Sequence, residues 1–142
     1  MAHRAAKRQC LVASVVDTKA DRIVSSRVEL VVGLGNPGSR YDATRHNAGF
    51  WWVDELARAN STSFRPNSRF HGDVAEFRGA AGMVRLLKPT TFMNNSGRAV
   101  NALAAFYRID SQAVMVVYDE IDLAPGVARL KRGGGDGGHR GL

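Results

Sequence analysis

Residues 28–32 (V-E-L-V-V) form a short, mostly apolar run that stops at Gly33-Leu34-Gly35-Asn36-Pro37-Gly38. An apolar run ended by a glycine turn is the pattern of a buried strand. Pro37 and the glycines around it exclude a helix at that point. A strand with little polar alternation is covered on both faces, which is the situation inside a sheet flanked by helices.

The rest of the chain supplies those helices and further strands. From Asn47 onward, Ala48, Trp52, Val53, Leu56 and Ala59 recur at near-helical spacing. Asn60-Ser61-Thr62-Ser63 and Pro66-Asn67-Ser68 then break the chain. Residues 73–77 and 83–87 read as a hairpin about Gly79-Ala80-Ala81-Gly82. A second helix is expected over 96–107, capped by Asn95 or Ser96, with Val100, Leu103, Ala104 and Tyr107 as its buried stripe. Residues 113–118 form another apolar strand, followed by Asp119-Glu120-Ile121-Asp122, and 127–131 alternate like a half-exposed strand before a glycine-rich tail. The expected fold is a single α/β domain with a mixed, mostly parallel central sheet flanked by helices. If the first, third and fourth strands of this body are parallel, Asn36, Met93-Asn94 and Asp119 gather at one carboxyl edge, where open α/β sheets bind ligands.

Charge and cysteine usage narrow the functional class. The net charge of +7 suggests a polyanionic partner. Residues 1–27 hold six Lys/Arg and two Asp, or +4, leaving +3 for the body, so nucleic-acid affinity there must come from placement. Residues 1–27 lack useful periodicity and lack the apolar core of a secretory signal, and are expected to be a disordered leader. Two Asp and no clear amphipathic face argue against a transit peptide. Residues 28–142 then form the domain. The single cysteine, Cys10, allows no intrachain disulfide and fits a reducing compartment. No apolar run approaches the roughly 20 residues of a membrane helix.

Residues 33–38 match G-x-G-x-x-G, but a dinucleotide site needs that loop to open directly into a helix. Here Ser39-Arg40-Tyr41-Asp42 intervene. His46, alone in a loop, would ordinarily be a solvated residue. Asp119, placed directly after a buried strand at the same expected edge, raises its interest, since a His–Asp pair makes a competent general base. No G-x-S-x-G elbow and no zinc-ligand spacing occur. Hydrolysis would therefore use an activated water, with neither cofactor nor metal expected.

Taken together, V-V-G-L-G-N-P-G (31–38), Y-D-A-T-R-H-N-A-G (41–49), K-P-T-T-F-M-N-N-S-G (88–97), Y-D-E-I-D-L-A-P-G (118–126) and G-G-G-D-G-G-H-R-G-L (133–142) resemble the bacterial peptidyl-tRNA hydrolase family. The resemblance covers residues 28–142. It implies a monomeric cytoplasmic esterase acting on peptidyl-tRNA, with His46 as base and Asp119 as the acid that orients it. It further implies that Asn36 and Asn94 position the peptide end and the attacking water. Met93 would line the peptide groove, Tyr41 would lie near the base, and Lys131 would grip the phosphate at the tRNA 5′ end. His139 would belong to a substrate-binding loop.

Two departures bear on those roles. Where the family often has Asn after the loop histidine, this chain has Arg140, which cannot accept a hydrogen bond but can contact phosphate. The family fold also continues beyond Leu142 with a further helix, a core strand, a lid and a C-terminal helix. Its C-terminal portion is missing here, so unpaired strand edges, exposed core and marginal activity are expected. A non-catalytic RNA-binding relative is the alternative, disfavoured because binding alone has no use for an oriented base.

Overall fold

The structure is a computed structural model, and it describes residues 11–15, 27–41, 47–119 and 127–132. Among the described residues, seven strands make one sheet: β1 (Leu11–Val15), β2 (Leu30–Gly33), β3 (Arg65–Asn67), β4 (Gly72–Gly79), β5 (Gly82–Pro89), β6 (Val114–Asp119) and β7 (Ala128–Arg132). Two α-helices among the described residues, α1 (Ala48–Ala59) and α2 (Ser96–Tyr107), connect strands of this sheet. The strand order is β3-β4-β5-β2-β6-β1-β7.

At the centre, β2 runs parallel to both β5 and β6, pairing Val31 with Leu86 and with Met115. β4 runs antiparallel to both of its neighbours, β3 and β5, which makes the sheet mixed. Successive residues of a strand face opposite sides, and the core follows that period. Val31, Leu86 and Val117 pack with Val53 and Ala57 of α1 on one face. Leu30, Val32, Leu87, Val116 and Tyr118 pack with Ala99 and Leu103 of α2 on the other. The result is three layers, helix on sheet on helix.

The expected α2 matches its observed bounds, but its buried stripe is Ser96, Ala99 and Leu103, with Val100 and Ala104 half-buried and Tyr107 on the surface. In α1, Ala57 is buried in place of Ala59. Residues 65–67, read from Pro66 as a break, form the edge strand β3, where a missing N–H is tolerated because one side has no neighbour.

The larger difference lies in the segment read as a disordered leader. Leu11–Val15 forms β1, inserted antiparallel to β6 and parallel to β7. The outer side of β6 is therefore paired, contrary to the expectation of a bare strand edge. Exposed core does appear elsewhere: a groove of about 560 Å³ lies open along Val100, Ala104, Ile109, Val114 and Val116, between α2 and β6.

Candidate active site

The carboxyl ends of β2, β5 and β6 lie on one edge of the sheet because the three strands are parallel. Asn36 follows β2 by three residues, Met93 and Asn94 follow β5 closely, and Asp119 ends β6. The convergence expected from the sequence is present.

Hydrogen bonds tie the segments together. The Asn36 side-chain oxygen accepts the Met93 backbone N–H at 2.8 Å. Because that oxygen is engaged, the amide NH2 of Asn36 is the part of the side chain available to a ligand. The Met93 carbonyl in turn accepts from the Ser96 hydroxyl at 2.8 Å, locking the short turn Met93–Asn95 onto the start of α2. Met93 itself is 7% exposed and packs in the core beneath this edge, while Asn94 is exposed.

A residue without an assigned role in the sequence reading completes the arrangement. Asn47, 1% exposed, accepts the Asn36 N–H at 2.8 Å and donates its side-chain NH2 to the Asn36 carbonyl at 3.1 Å. A buried amide with both ends satisfied by one backbone unit fixes that unit firmly. Asn47, the residue after His46 in the chain, is thereby fixed against the loop carrying Asn36. The only sequence signal was an Asn ahead of a helix, which helix capping explains equally well, although Asn47 makes no side-chain capping bond.

Gly33 and Gly35 serve packing. A Cβ on Gly33 would meet the Gly49 carbonyl oxygen and the Val53 side chain, and one on Gly35 would lie 2.7 Å from the Phe50 ring. Both glycines let α1 approach the sheet edge closely. Among the described residues, Gly38 is followed by the short turn Ser39–Tyr41, so the loop does not open directly into an α-helix as a dinucleotide site requires. Beside Asn36, a cleft of about 210 Å³ is lined by Pro37, Phe50, Asp73, Lys88 and Thr90. Lys88 is paired with Asp54 of α1 at 2.7 Å and lies 4.3 Å from the Phe64 ring, so its charge braces α1 against the sheet.

Lys131 lies on β7, two strands from β6 and in the row of Val116, three residues back from Asp119. Its ammonium is 5.8 Å from the Tyr118 ring. His46, His139 and Arg140 fall outside the described residues, as does the side chain of Tyr41.

The family model for peptidyl-tRNA hydrolase matches residues 30–142. The chain belongs to the peptidyl-tRNA hydrolase family. It is 56% identical to the peptidyl-tRNA hydrolase of Actinobacillus pleuropneumoniae serotype 5b over 117 residues, which is 82% of this chain and 60% of that protein. Identity to the Haemophilus influenzae enzyme is also 56%, with the same coverage. The crystal structure of peptidyl-tRNA hydrolase from Acinetobacter baumannii superposes with a TM-score of 0.79 at 48% identity, covering 82% of this chain and 59% of that one. The chain thus spans about 60% of the length of these peptidyl-tRNA hydrolases. The family match begins at Leu30, so β1 precedes it.

Proposed function

We propose that this chain hydrolyses the ester bond between peptide and tRNA in peptidyl-tRNA, recycling tRNA from aborted translation. The observation that carries the reading is the gathering of Asn36, Asn94 and Asp119 at one sheet edge, with the Asn36 oxygen held on Met93 and its NH2 left for substrate. The substrate bond joins a peptide carboxyl to a ribose hydroxyl, so water suffices as nucleophile. His46 takes a proton from that water as it attacks the ester carbonyl, and Asp119 orients the imidazole and stabilises its protonated form. The tetrahedral oxyanion collapses, and the ribose oxygen leaves with a proton returned by the imidazolium. The products are a peptide carboxylate and a tRNA with a free terminal hydroxyl.

General-base assistance contributes on the order of 10²–10⁴ in rate, and amide donors near the developing oxyanion add a comparable factor. Asn36 and Asn94 position the peptide end and the water, Met93 borders the peptide groove, and Tyr41 lies near the base. Lys131 holds the 5′ phosphate, and His139 and Arg140 contact the substrate from the following loop. A phosphate grip explains how a body carrying +3 distinguishes tRNA from short esters. The enzyme acts as a monomer in the cytoplasm, a compartment compatible with the single Cys10. No helix among the described residues is long and apolar enough to cross a membrane.

Single-turnover cleavage of a purified N-blocked aminoacyl-tRNA tests the reading by comparing this chain with His46→Ala. A rate at least about 100-fold lower in the variant is expected. Equal rates from two folded proteins, checked by circular dichroism, would remove the enzymatic role.

A further inference from the structure

Among the described strands, β7 has one hydrogen-bonded neighbour. In the order β3-β4-β5-β2-β6-β1-β7, β1 alone joins β7 to the rest of the sheet. The register extends this to single residues. Leu11 stands opposite both Asp119 and Ala128, and Ser14 stands opposite both Val116 and Lys131. Asp119 and Lys131 therefore sit on strands that are not hydrogen-bonded neighbours. They are separated by two interstrand gaps of about 4.8 Å each and by three residues, or roughly 10 Å, along the strand direction.

Burial does not supply a substitute restraint. Ala128, Arg129, Leu130 and Arg132 are exposed, and only Lys131 is half-buried. Apolar burial on β7 is small, so backbone pairing with β1 is the main restraint on the strand, beside the side-chain contact of Lys131 with the Tyr118 ring. That partner comes from residues 11–15, which lie ahead of the stretch matched by the family.

We propose that Leu11–Val15 is a splint that holds the phosphate-gripping strand β7 at a fixed offset from Asp119, making β1 a positioning segment for tRNA. The inference rests on the reading of Lys131 as a phosphate contact. The pairing geometry is independent of that reading. A phosphate held at a set distance from the reacting ester aligns the acceptor stem, and a strand free to swing loses that alignment while keeping its charge.

The test replaces Val12 and Ala13 together by proline. Neighbouring strand residues direct their N–H groups to opposite sides, so the pair removes a donor toward each neighbour of β1. Ala13→Val, which favours a strand, is the control. Amide hydrogen exchange is read at residues 128–132, with β2 and β5 as internal references. Affinity is measured for a tRNA acceptor-stem minihelix with and without its 5′ phosphate, in each background with and without Lys131→Ala.

In the double-proline protein, β7 amides are expected to lose protection by at least about tenfold while β2 and β5 keep theirs. The 5′-phosphate preference and the cost of Lys131→Ala should both shrink to less than about twofold, and Ala13→Val should match the parent. Three results would overturn the splint. These are unchanged exchange in β7, equal loss in β2 and β5 (which makes β1 a general core strand), or an undiminished Lys131→Ala effect in the double-proline protein. If Lys131→Ala has no effect in the parent, the phosphate role falls, and exchange at β7 still decides the splint.

Discussion

The side-chain oxygen of Asn36 accepts the backbone N–H of Met93 at 2.8 Å, joining two turns 57 residues apart in the chain. The bond orients the Asn36 amide by fixing its oxygen on the Met93 turn, which leaves the NH2 donors for a substrate. Asn47 clamps the same residue from the other side through its N–H and carbonyl. Asn36 is thus held at three points before any substrate arrives, which is the preorganisation that electrostatic catalysis requires.

Replacing Asn36 by Asp keeps an acceptor for Met93 but removes the NH2 donors and places a negative charge where an oxyanion would form. Thermal stability should change by less than about 1 kcal/mol, while the single-turnover rate falls by roughly 100-fold or more. Asn36→Ala should lose the rate and also about 1 kcal/mol of stability, because the Met93 N–H then lacks its partner. A rate for Asn36→Asp near that of the parent would show that the donors do not act.

Asn47→Ala leaves the N–H and carbonyl of Asn36 without their partner in a half-buried setting. A destabilisation of about 1–3 kcal/mol is expected from denaturant unfolding. Activity should fall further than the unfolded fraction explains, because the loop carrying Asn36 and the residue after His46 lose their common anchor. Proportional loss of activity and folded protein would reduce Asn47 to a purely structural part.

Two glycines at helix starts should respond in opposite directions to alanine. At Gly49 a Cβ would meet the Val117 carbonyl and the Leu34 backbone, none of which can move without shifting the sheet edge. Gly49→Ala should cost about 3 kcal/mol or more and remove activity with it. At Gly97 nothing lies within 4 Å of the added atom, and Gly97→Ala should stabilise α2 by about 0.4–1 kcal/mol. Thermal melting of the two single variants checks both signs.

Lys131→Ala is expected to weaken binding to all tRNAs alike, since a phosphate contact carries no base information. The slope of log affinity against log salt should drop by about 0.7–0.9. Cleavage of a short N-blocked ester lacking the acceptor stem should be unchanged. A variant that altered preference among tRNA sequences would contradict the phosphate assignment.

Much of this arrangement was legible from the chain. Apolar runs at β2 and β6 predicted buried strands, helical spacing placed α1 and α2 to within a residue or two, and parallel order brought Asn36, Asn94 and Asp119 to one edge. The roles of Gly33 and Asn47 were not legible. A glycine in G-x-G-x-x-G reads the same whether a phosphate or a helix approaches it, and an Asn ahead of a helix reads as a cap.

Local pattern determined the strand and helix types, because apolar periodicity and turn residues act within a few positions. Neighbours in the fold decided the rest. β3 passes through a proline because it has a free side at the edge of the sheet, and β1 exists through backbone pairing with β6 and β7. Pairing between segments over 100 residues apart depends on which strand edges are open once the core has assembled, and no local stretch of sequence encodes that.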